Sequence, residues 1–506
     1  MKLKTNNTHP NSTHPNSTKQ PVTSKQFQMK YILLPILIFS SFQVTLYASG
    51  ADKPPNIVLI FCDDLGFADL SSYGSIWNQT PEIDRMAVEG LKFTDFYAGA
   101  PVCTPSRAGL MTGCYARRVD LDLDAENRWV LFPGANKGIN PDEKILPEVL
   151  KEAGYSTAMI GKWHLGDQPE FFPTRHGFDY YYGIPYSNDM GVRKDEVPIL
   201  PLMKNEQVFE ELNQRNEQDQ GSLTSRYTSE ALKWIGAHQD QPFFLYLAHT
   251  MPHNPVAARE QYYQQTSNPR SGFGASVAEI SWSTGKILDY LKQEDLAENT
   301  LVIFTSDNGG APHWGASNGI LKGRKGQTFE GGVRVPCLAW WPGKIKPGTT
   351  CNAPASVLDF YPTFSALANV QPDKEVKRDG VDISDYFFNP AQKRVARPYF
   401  YWHVGYLMGV RYGDWKLSFL GRFNEEEKQQ ISKSTYNSNQ FSEQIELYDL
   451  RKDPMEENDV ASEFPEIVNQ ISIIADAAID ALGERDKVGP EVRKALFIEN
   501  PVTLVK

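Results

Sequence analysis

A thiol, a proline and an arginine lie within five residues in the segment Cys103-Thr104-Pro105-Ser106-Arg107. Thr104 is a residue type that caps helices, and proline suits the first helical position, so the segment predicts a helix that begins at Pro105. The free N–H groups of that first turn, together with Arg107, would form an anion site beside Cys103. The pattern indicates a nucleophile that faces an oxyanion, with a small buried packing residue as the alternative for Cys103.

Two pairs of oxygen-bearing side chains, Asp63-Asp64 and Asp307-Asn308, each follow an apolar run directly. Adjacent carboxylates repel each other unless a cation lies between them. An all-oxygen ligand set selects a hard ion such as calcium or magnesium over zinc. One Asp-Asp pair alone is more often a helix cap or a solvated turn, and it is the second pair that favours a metal site.

Cationic and imidazole side chains complement these acids. We expect five of them to surround a tetrahedral oxyanion whose charge a metal would share: Arg107, Lys162, His164, His253 and Lys325. Lys325 lies in a glycine-rich block, residues 323–334, where the backbone can approach a ligand closely. A single lysine is more often a surface residue, so the prediction depends on the whole set.

Four short apolar runs precede these side chains and must position them: residues 56–61, 156–160, 243–248 and 301–305. Their length and their content of Val, Ile, Leu and Phe predict buried, largely parallel strands. Ligands in open α/β sheets bind at the carboxyl ends of strands. The side chains that follow the four runs would therefore meet in one crevice.

Helical patterns alternate with the apolar runs, at residues 81–89, 143–153, 222–238 and 275–291. The alternation predicts an α/β fold with a large, mostly parallel but mixed β-sheet sandwiched by helices. We place this catalytic domain at residues 51–390.

The chain beyond about residue 390 has a different pattern, which predicts a smaller C-terminal α+β domain at residues 391–506. Aromatic-rich strands are predicted at residues 408–412, 415–420 and 445–450, and a helix at 466–482 would cover their antiparallel sheet. Residues 424–442, rich in Glu, Gln, Ser and Asn, are predicted to form an exposed loop.

The N-terminal region predicts export. Residues 1–28 are polar and repeat Thr-His-Pro-Asn-Ser, which is typical of a disordered leader. Residues 29–50 combine a lysine, an apolar run and a small-residue end, which is the pattern of a signal peptide. The run is shorter than the about 20 residues that a membrane span needs. We expect a periplasmic or secreted protein without stable membrane insertion, translated from Met1 or from Met29.

Composition limits the classes of function. With 506 residues, 41% of them hydrophobic, the chain can bury a large core. A net charge of −11 with dispersed basic residues gives no electrostatic case for nucleic-acid binding. Five cysteines are too few for a disulfide scaffold, and we expect Cys62, Cys114, Cys337 and Cys351 to be isolated thiols, with a Cys337–Cys351 pair as the alternative.

The Cys103 motif, Cys-x-Pro-Ser-Arg, resembles the signature of the type I (formylglycine-dependent) sulfatases, which have the alkaline-phosphatase-like fold. Further segments similar to arylsulfatase-A-like sulfatases follow in the family's order: Asp63-Asp64, then residues 161–166, 252–255, 306–309 and 325–334. Tyr448-Asp449-Leu450 with Asp453-Pro454 resembles the family's C-terminal domain. The resemblance implies a sulfuric ester hydrolase.

The resemblance implies a role for each matched residue. A formylglycine-generating or sulfatase-maturing enzyme would convert Cys103 to formylglycine (3-oxoalanine), whose hydrated form would attack sulfur. One calcium ion would be held by Asp63, Asp64, Asp307 and Asn308 together with residue 103.

The other matched residues would move protons or hold the nucleophile. Asp307 would help to deprotonate the nucleophile, which Arg107 and Lys162 would hold in place. His253 and Lys325 would protonate the leaving alcohol, and a sulfate ester would remain on residue 103. His164 would then accept the proton of the second hydroxyl, so that sulfate is expelled.

Pairs of an aromatic ring with a polar or charged group predict substrate contacts, because such pairs suit stacking on sugars and binding of their hydroxyls or sulfates. The candidates are His313-Trp314, Arg175-His176, Arg128-Trp129 and Trp402-His403. Core packing explains any one pair about as well. With the export signal, they favour sulfated polysaccharides or oligosaccharides of the algal galactan or glycosaminoglycan type.

Two other functions stay open from the sequence. The same scaffold could hydrolyse phosphate mono- or diesters, although one hard cation and a formylglycine motif favour sulfate. The chain could also be a non-catalytic carbohydrate-binding protein in which Cys103 is never oxidised. The complete set of acid, base and metal positions argues against that reading.

Overall fold

A mixed β-sheet of eleven strands forms the centre of the computed structural model, which describes residues 53–435 and 441–505. The strands of the described residues are β1 (Asn56–Cys62), β2 (Leu91–Phe93), β3 (Phe96–Tyr97), β4 (Lys137–Gly138), β5 (Ser156–Gly161), β6 (Tyr180–Gly183), β7 (Val192–Lys194), β8 (Val197–Lys204), β9 (Gln207–Asn213), β10 (Phe243–Ala248), β11 (Thr300–Ser306), β12 (Cys337–Trp340), β13 (Thr349–Cys351), β14 (Ala355–Ser356), β15 (Pro398–His403), β16 (Tyr406–Tyr412), β17 (Trp415–Ser418), β18 (Glu446–Asp449) and β19 (Leu496–Phe497).

The α-helices of the same residues are α1 (Pro81–Glu89), α2 (Cys103–Thr112), α3 (Leu146–Glu152), α4 (Glu217–Gly236), α5 (Ser271–Gln293), α6 (Glu330–Val333), α7 (Phe360–Leu367), α8 (Ser384–Phe388), α9 (Glu425–Ser434) and α10 (Pro465–Leu482). The two longest, α4 and α5, pack against each other on one side of the sheet, and α5 also packs against α1.

Five parallel strands occupy the middle of the large sheet, in the order β11-β1-β10-β5-β6. Four of them are the apolar runs of the sequence, and each matches its predicted bounds to within one residue. Strands β12 and β8 continue the sheet antiparallel on either side, which makes it mixed. The predicted α/β class is confirmed, and the carboxyl ends of four neighbouring strands lie along one edge of the sheet.

Alternate residues of the central strands enter two different cores. In β1, Val58 and Ile60 pack toward α4 and α5, whereas Ile57 and Leu59 pack toward α2, α3 and α7. Every residue of β1 is buried. Because each fully buried aliphatic side chain contributes about 1.5–3 kcal/mol, the sheet is held by apolar contacts on both faces and forms a rigid base for the residues at its edge.

Helix α2 begins at Cys103, two residues before the predicted start at Pro105. The preceding residue, Val102, is extended, and it makes no side-chain capping hydrogen bond. The Thr104 hydroxyl instead donates to the His164 carbonyl at 3.1 Å. Thr104 therefore ties the start of α2 to the loop after β5, and the predicted capping role was wrong.

A four-stranded antiparallel sheet, β15-β16-β17-β18, forms most of the C-terminal part, and α10 packs on it as predicted. The predicted loop at residues 424–442 was partly wrong, because α9 occupies Glu425–Ser434. Its start is a capping box in which the Asn424 side chain accepts from the Glu427 backbone N–H. The described residues pack as one compact unit, and the boundary at residue 390 stays a prediction.

Some predictions fall outside the described residues, namely the leader at residues 1–28 and the signal peptide at 29–50. Within residues 53–435 and 441–505, no helix is both long and apolar enough to cross a bilayer. All five cysteines are free and buried, as the sequence predicted for the four other than Cys103.

Candidate active site

The carboxyl ends of the central strands bring the predicted acids and bases together. Asp63 and Asp64 follow β1, Asp307 follows β11 and Lys162 follows β5. Backbone hydrogen bonds fix the ends of neighbouring strands, since the Asp307 N–H donates to the Cys62 carbonyl at 3.1 Å and the Lys162 N–H to the Ala248 carbonyl at 2.9 Å. The sheet therefore sets the spacing of these side chains before any of them interacts with a ligand.

Gly161 allows β5 to end close against β10. Its φ is +117°, in the region that favours glycine, and a Cβ atom at this position would lie 1.8 Å from the Ala248 carbonyl oxygen. No side chain fits there without movement of the backbone. The glycine thus permits the turn that directs Lys162 into the crevice.

Asp63 lies between a lysine, a thiol and an arginine. Its Oδ2 is 2.6 Å from Lys162 Nζ, its Oδ1 accepts from Cys103 Sγ at 3.3 Å, and Arg107 Nη2 lies 3.7 Å from the carboxylate. Burial opposes ionisation, but Lys162, together with His253 and Arg107, holds the pKa of Asp63 well below its usual range. Asp63 is therefore a carboxylate at neutral pH.

The Cys103 thiol is 2% exposed at the start of α2. Burial and the nearby Asp63 carboxylate raise its pKa well above that of a free cysteine. Since the thiolate is the nucleophilic form of cysteine, the unmodified side chain is a weak nucleophile at neutral pH. Its position suits catalysis, but the thiol itself does not.

Arg107 binds Asp307 through two nitrogens, with Nε at 3.1 Å and Nη2 at 2.8 Å from Oδ2. Its Nη1 donates to the Lys162 carbonyl at 2.9 Å. Burial and the Asp63 carboxylate raise the pKa of Asp307 to about 6, although Arg107 and Lys162 oppose that shift. Arg107 is fully buried, so it holds the acids in place from beneath the crevice.

Asp64 contacts Lys325, His253 and Asn308 on the other side of the site. Its Oδ2 lies 2.8 Å from Lys325 Nζ and 3.6 Å from His253 Nε2. Its Oδ1 accepts from Asn308 Nδ2 at 2.8 Å, and its backbone N–H donates to Asp307 Oδ1 at 3.1 Å. The pair Asp307-Asn308 is thus hydrogen-bonded directly to Asp64 of the first pair.

These residues fit a hard divalent cation. Ligand atoms of Asp63, Asp64, Cys103 and His253 all lie within 4.8 Å of one another. Asn308 Oδ1 is buried and has no hydrogen-bond partner among the described residues, so it is an oxygen ligand without another use. Carboxylate and amide oxygens are the donors that calcium and magnesium prefer.

His164 is a neutral base with a defined tautomer. Its Nε2 lies 3.0 Å from the Leu131 carbonyl, which can only accept, so Nε2 carries the proton. Nδ1 is buried and, in the described part of the chain, has no partner. Burial, with Lys162 and Arg107 nearby, lowers the pKa of His164 well below its usual range. Nδ1 is therefore free to accept a proton.

His253 is oriented by residues that the sequence did not single out. Its Nδ1 lies 2.6 Å from the Asn254 carbonyl, 3.1 Å from Asn188 Oδ1 and 3.4 Å from Ser187 Oγ. Ser187 also accepts from Lys162 Nζ at 3.2 Å. Ser187 and Asn188 follow β6, the fifth parallel strand, and the same rule about strand ends would have identified them had β6 been predicted.

A cavity of about 370 Å³ opens above these groups. Cys103, His164, His253 and Lys325 line its inner part, and Trp129, Phe132 and Trp314 line its outer part, with the exposed Asp189. His313 packs on Trp314 with ring centroids 4.9 Å apart. Of the predicted pairs at residues 128–129 and 313–314, Trp129 and Trp314 therefore line the cavity, whereas Arg128 and His313 do not.

The structure does not bring the other predicted substrate residues to this cavity. Arg175 is exposed and pairs with Glu206 at 2.7 Å. His176 is buried with its Nε2 on the Glu170 carbonyl at 3.1 Å, and His403 is buried in β15. A ring beside a polar group does not reveal which loop faces the crevice, and these three residues are not retained as candidates.

The chain matches two family models. The model described as "Sulfatase" matches residues 55–370, and the model described as "C-terminal region of aryl-sulfatase" matches residues 394–495. The first match spans the strand ends and every residue that lines the inner cavity.

Similar proteins and structures were also found. N-acetylgalactosamine-6-sulfatase of Mus musculus is 36% identical over 479 residues, which are 90% of this chain and 89% of that protein. Arylsulfatase A of Homo sapiens is 37% identical over 453 residues, 83% of this chain and 86% of that protein. The solved structure of Ps i-CgsB in complex with k-i-k-neocarrahexaose has a TM-score of 0.71 at 30% identity and covers 84% of this chain and 93% of its own.

Proposed function

Since the chain belongs to the sulfatase family and is a sulfuric ester hydrolase, we propose that it acts on sulfated carbohydrates of the glycosaminoglycan or algal galactan type. The resemblance found in the sequence is confirmed at the level of the family. Two similar proteins support the carbohydrate class, because one is named for a sulfated amino sugar and another was solved with an oligosaccharide.

The observation that carries this proposal is the composition of the cavity. Its inner part is polar and cationic around Cys103, whereas its outer part presents the rings of Trp129 and Trp314. Flat apolar rings beside polar groups suit a sugar, which has apolar C–H faces and hydroxyls at its edge. A sulfate in the inner part would leave its sugar between the tryptophans.

We propose that Cys103 is matured to formylglycine by a formylglycine-generating or sulfatase-maturing enzyme. The hydrated side chain would supply a hydroxyl nucleophile in place of the protonated thiol. When bound, one calcium ion held by Asp63, Asp64, Asp307, Asn308 and residue 103 would supply positive charge beside the sulfate oxygens.

The residues of the chain itself account for the remaining steps. Lys162 is anchored by Asp63 and Ser187, so its ammonium group stays beside residue 103 and holds the nucleophile in position. Arg107 binds Asp307, which would take a proton from the nucleophile.

The proton donors and the second base lie on the cavity side. Lys325 and His253 both contact Asp64 Oδ2 and line the cavity, so they can bind a sulfate oxygen and protonate the leaving alcohol. His164 Nδ1 has no protein partner among the described residues, which supports a role in taking the proton of the second hydroxyl of residue 103. We also propose export to the periplasm or the medium, on the basis of residues 29–50.

The experiment that tests this function is sulfate release by protein co-expressed with a sulfatase-maturing enzyme, with Cys103→Ala as the matched variant. The panel contains sulfated oligosaccharides, an aryl sulfate and an aryl phosphate, and mass spectrometry records the conversion of residue 103. We expect release from a sulfated sugar by the parent and none by Cys103→Ala. Release from the aryl ester alone would overturn the carbohydrate assignment, and phosphate release alone would overturn the proposed chemistry.

A further inference from the structure

A closed loop, residues 322–331, carries Lys325 into the crevice. The loop is closed at its base by the Gly331 N–H, which donates to the Lys322 carbonyl at 2.7 Å. Near its tip, the Lys325 N–H donates to the Gly310 carbonyl at 3.1 Å and the Gly326 N–H to the Pro101 carbonyl at 2.8 Å. These contacts fix where the tip points, but the flanks of the loop need other partners.

The C-terminal part of the chain supplies those partners. Lys416 Nζ, from β17, donates to the Thr328 carbonyl at 2.9 Å. Glu456 accepts the Glu330 N–H on Oε2 at 2.7 Å, and its own carbonyl accepts from Lys322 Nζ at 3.0 Å. The contacts lie on both sides of Lys325, so they restrain the loop before and after the lysine.

Buried charge makes this arrangement specific. Lys416 is 1% exposed and Glu456 is 1% exposed, and Lys416 Nζ lies 2.6 Å from Glu456 Oε1 and 3.6 Å from Glu330 Oε1. Removal of one member of a buried ion cluster leaves the others uncompensated, which is strongly unfavourable. The loop and the C-terminal part therefore share one buried ion cluster, in which Lys416 is the partner of both Glu330 and Glu456.

Tyrosines from both parts complete the cluster. Glu330 accepts hydrogen bonds from the Tyr97 and Tyr401 hydroxyls, each at 2.6 Å. Tyr97 lies in β3 of the N-terminal part and Tyr401 in β15 of the C-terminal sheet. Glu330, which ends the flank after Lys325, is thus held by the two parts together.

We propose that the C-terminal sheet positions the leaving-group acid: Lys416 and Glu456 are positioning residues that hold the loop of residues 322–331 so that Lys325 stays beside Asp64. The inference rests on the proposed function in one respect, the role of Lys325 as a proton donor to the leaving alcohol. Neither Lys416 nor Glu456 lines the cavity, so both act through Lys325.

A displaced proton donor has a recognisable effect on rates. A sugar alcohol is a poor leaving group and needs protonation, whereas a nitrophenolate leaves without it. We call the contacts of Lys416 and Glu456 with the loop of residues 322–331 the clamp. Loss of the clamp should therefore slow hydrolysis of a sugar sulfate and spare hydrolysis of 4-nitrophenyl sulfate. General destabilisation of the fold would lower both rates by the same factor.

The variants are Lys416→Met, Lys322→Met and the matched control Lys137→Met. Lys137 is also a buried lysine, paired with Asp120 at 2.8 Å, but it contacts no residue of the loop. Lys322 is only partly buried, so Lys322→Met removes one anchor with little risk to folding. If Lys416→Met does not fold, Lys322→Met alone tests whether these contacts restrain the loop.

Hydrogen–deuterium exchange on the purified protein is the first measurement, since it needs no turnover and stands apart from the proposed function. We expect exchange of the amides in residues 322–331 to rise at least about tenfold in Lys416→Met and Lys322→Met, and to stay unchanged in Lys137→Met. Unchanged exchange in the loop of Lys322→Met and Lys416→Met would overturn the proposal.

The second measurement is the ratio of kcat for a sulfated oligosaccharide to kcat for 4-nitrophenyl sulfate, with the matured protein. We expect this ratio to fall on the order of tenfold in Lys416→Met, and less in Lys322→Met, while Lys137→Met keeps the ratio of the parent. Equal losses on both substrates would overturn the positioning role. A parent without activity on any sulfate ester would instead overturn the proposed function. The hydrogen–deuterium exchange result would still show whether the C-terminal contacts restrain the loop of residues 322–331.

Discussion

Lys162 Nζ lies 2.6 Å from Asp63 Oδ2, and neither side chain is exposed to solvent. This pair is part of a wider balance, because the buried carboxylates of Asp63, Asp64 and Asp307 face three cations, Arg107, Lys162 and Lys325. A divalent ion added to a balanced cluster makes it net positive. The site then attracts a sulfate ester, which is an anion.

Metal binding should stabilise the protein through Asp64. A ligand present at 100 times its Kd raises the free energy of unfolding by about 2.7 kcal/mol, so added calcium should raise the Tm of EDTA-treated protein by several degrees. Asp64→Asn removes one carboxylate ligand and should abolish most of that shift. Asp189→Asn, at the exposed rim of the cavity, is the matched control and should keep it. Equal shifts in both variants would contradict the proposed site.

The tryptophans of the outer cavity should contribute to substrate affinity. A ring contact contributes about 0.5–1.5 kcal/mol, so Trp129→Ala and Trp314→Ala should each raise KM for a sulfated oligosaccharide about two- to twelvefold. Steady-state kinetics on the matured protein measure this change. Arg175→Ala, whose side chain pairs with Glu206 outside the cavity, should leave KM as in the parent. An unchanged KM in both tryptophan variants would place the sugar elsewhere.

Buried histidines should make the protein less stable in acid. Burial lowers the pKa of His249 to about 3, of His403 to about 3 and of His176 to about 4. The unfolded chain therefore binds more protons below its histidine pKa of about 6.5, and the free energy of unfolding should fall as the pH drops from 6.5 toward 4. Each histidine accounts for up to about 1.4 kcal/mol per pH unit in this window.

Denaturant unfolding at several pH values measures that slope. His176→Gln keeps a donor for the Glu170 carbonyl and removes one titrating group, so its stability should fall less steeply between pH 6.5 and 4. A profile that runs parallel to that of the parent would show that His176 takes up its proton equally in both states.

Two glycines with positive φ should respond very differently to a methyl group. At Gly161 the new Cβ would lie 1.8 Å from the Ala248 carbonyl oxygen, whereas at Gly154, with φ +84°, nothing lies within 4 Å. Gly154→Ala should cost about 1 kcal/mol from backbone strain alone. Gly161→Ala should cost at least about 4 kcal/mol or prevent folding, as measured by chemical denaturation. Similar costs would mean that β5 and β10 separate easily.

The sequence predicted the central strands, and the side chains that gather at their ends, for a physical reason. Runs such as residues 243–248 are short and apolar throughout, which favours buried strands, and the polar residues that follow buried strands lie at the sheet edge. Strand β6 was missed because Tyr180–Gly183 is short and aromatic. Ser187 and Asn188, which follow it, were missed for the same reason.

Other details depend on contacts that no local pattern contains. Helix α2 begins at Cys103, and the Thr104 hydroxyl bonds to the distant His164 carbonyl and not to its own helix. Arg175, His176 and His403 match the pattern of a sugar contact, but the fold directs them away from the cavity. Helix α9 was different, since the capping box of Asn424 and Glu427 was readable in the sequence.

The residues that hold the loop of residues 322–331 come late in the sequence, which matters during biosynthesis. Lys416 and Glu456 come after every residue that lines the cavity, so a ribosome makes them later than those residues. Until they emerge and fold, the flanks of the loop lack their buried partners, and Glu330 lacks the Tyr401 hydroxyl. A chain that stops short of the C-terminal sheet would carry the residues that line the cavity without the contacts that we propose hold Lys325, so the site would be complete only after that sheet has been made.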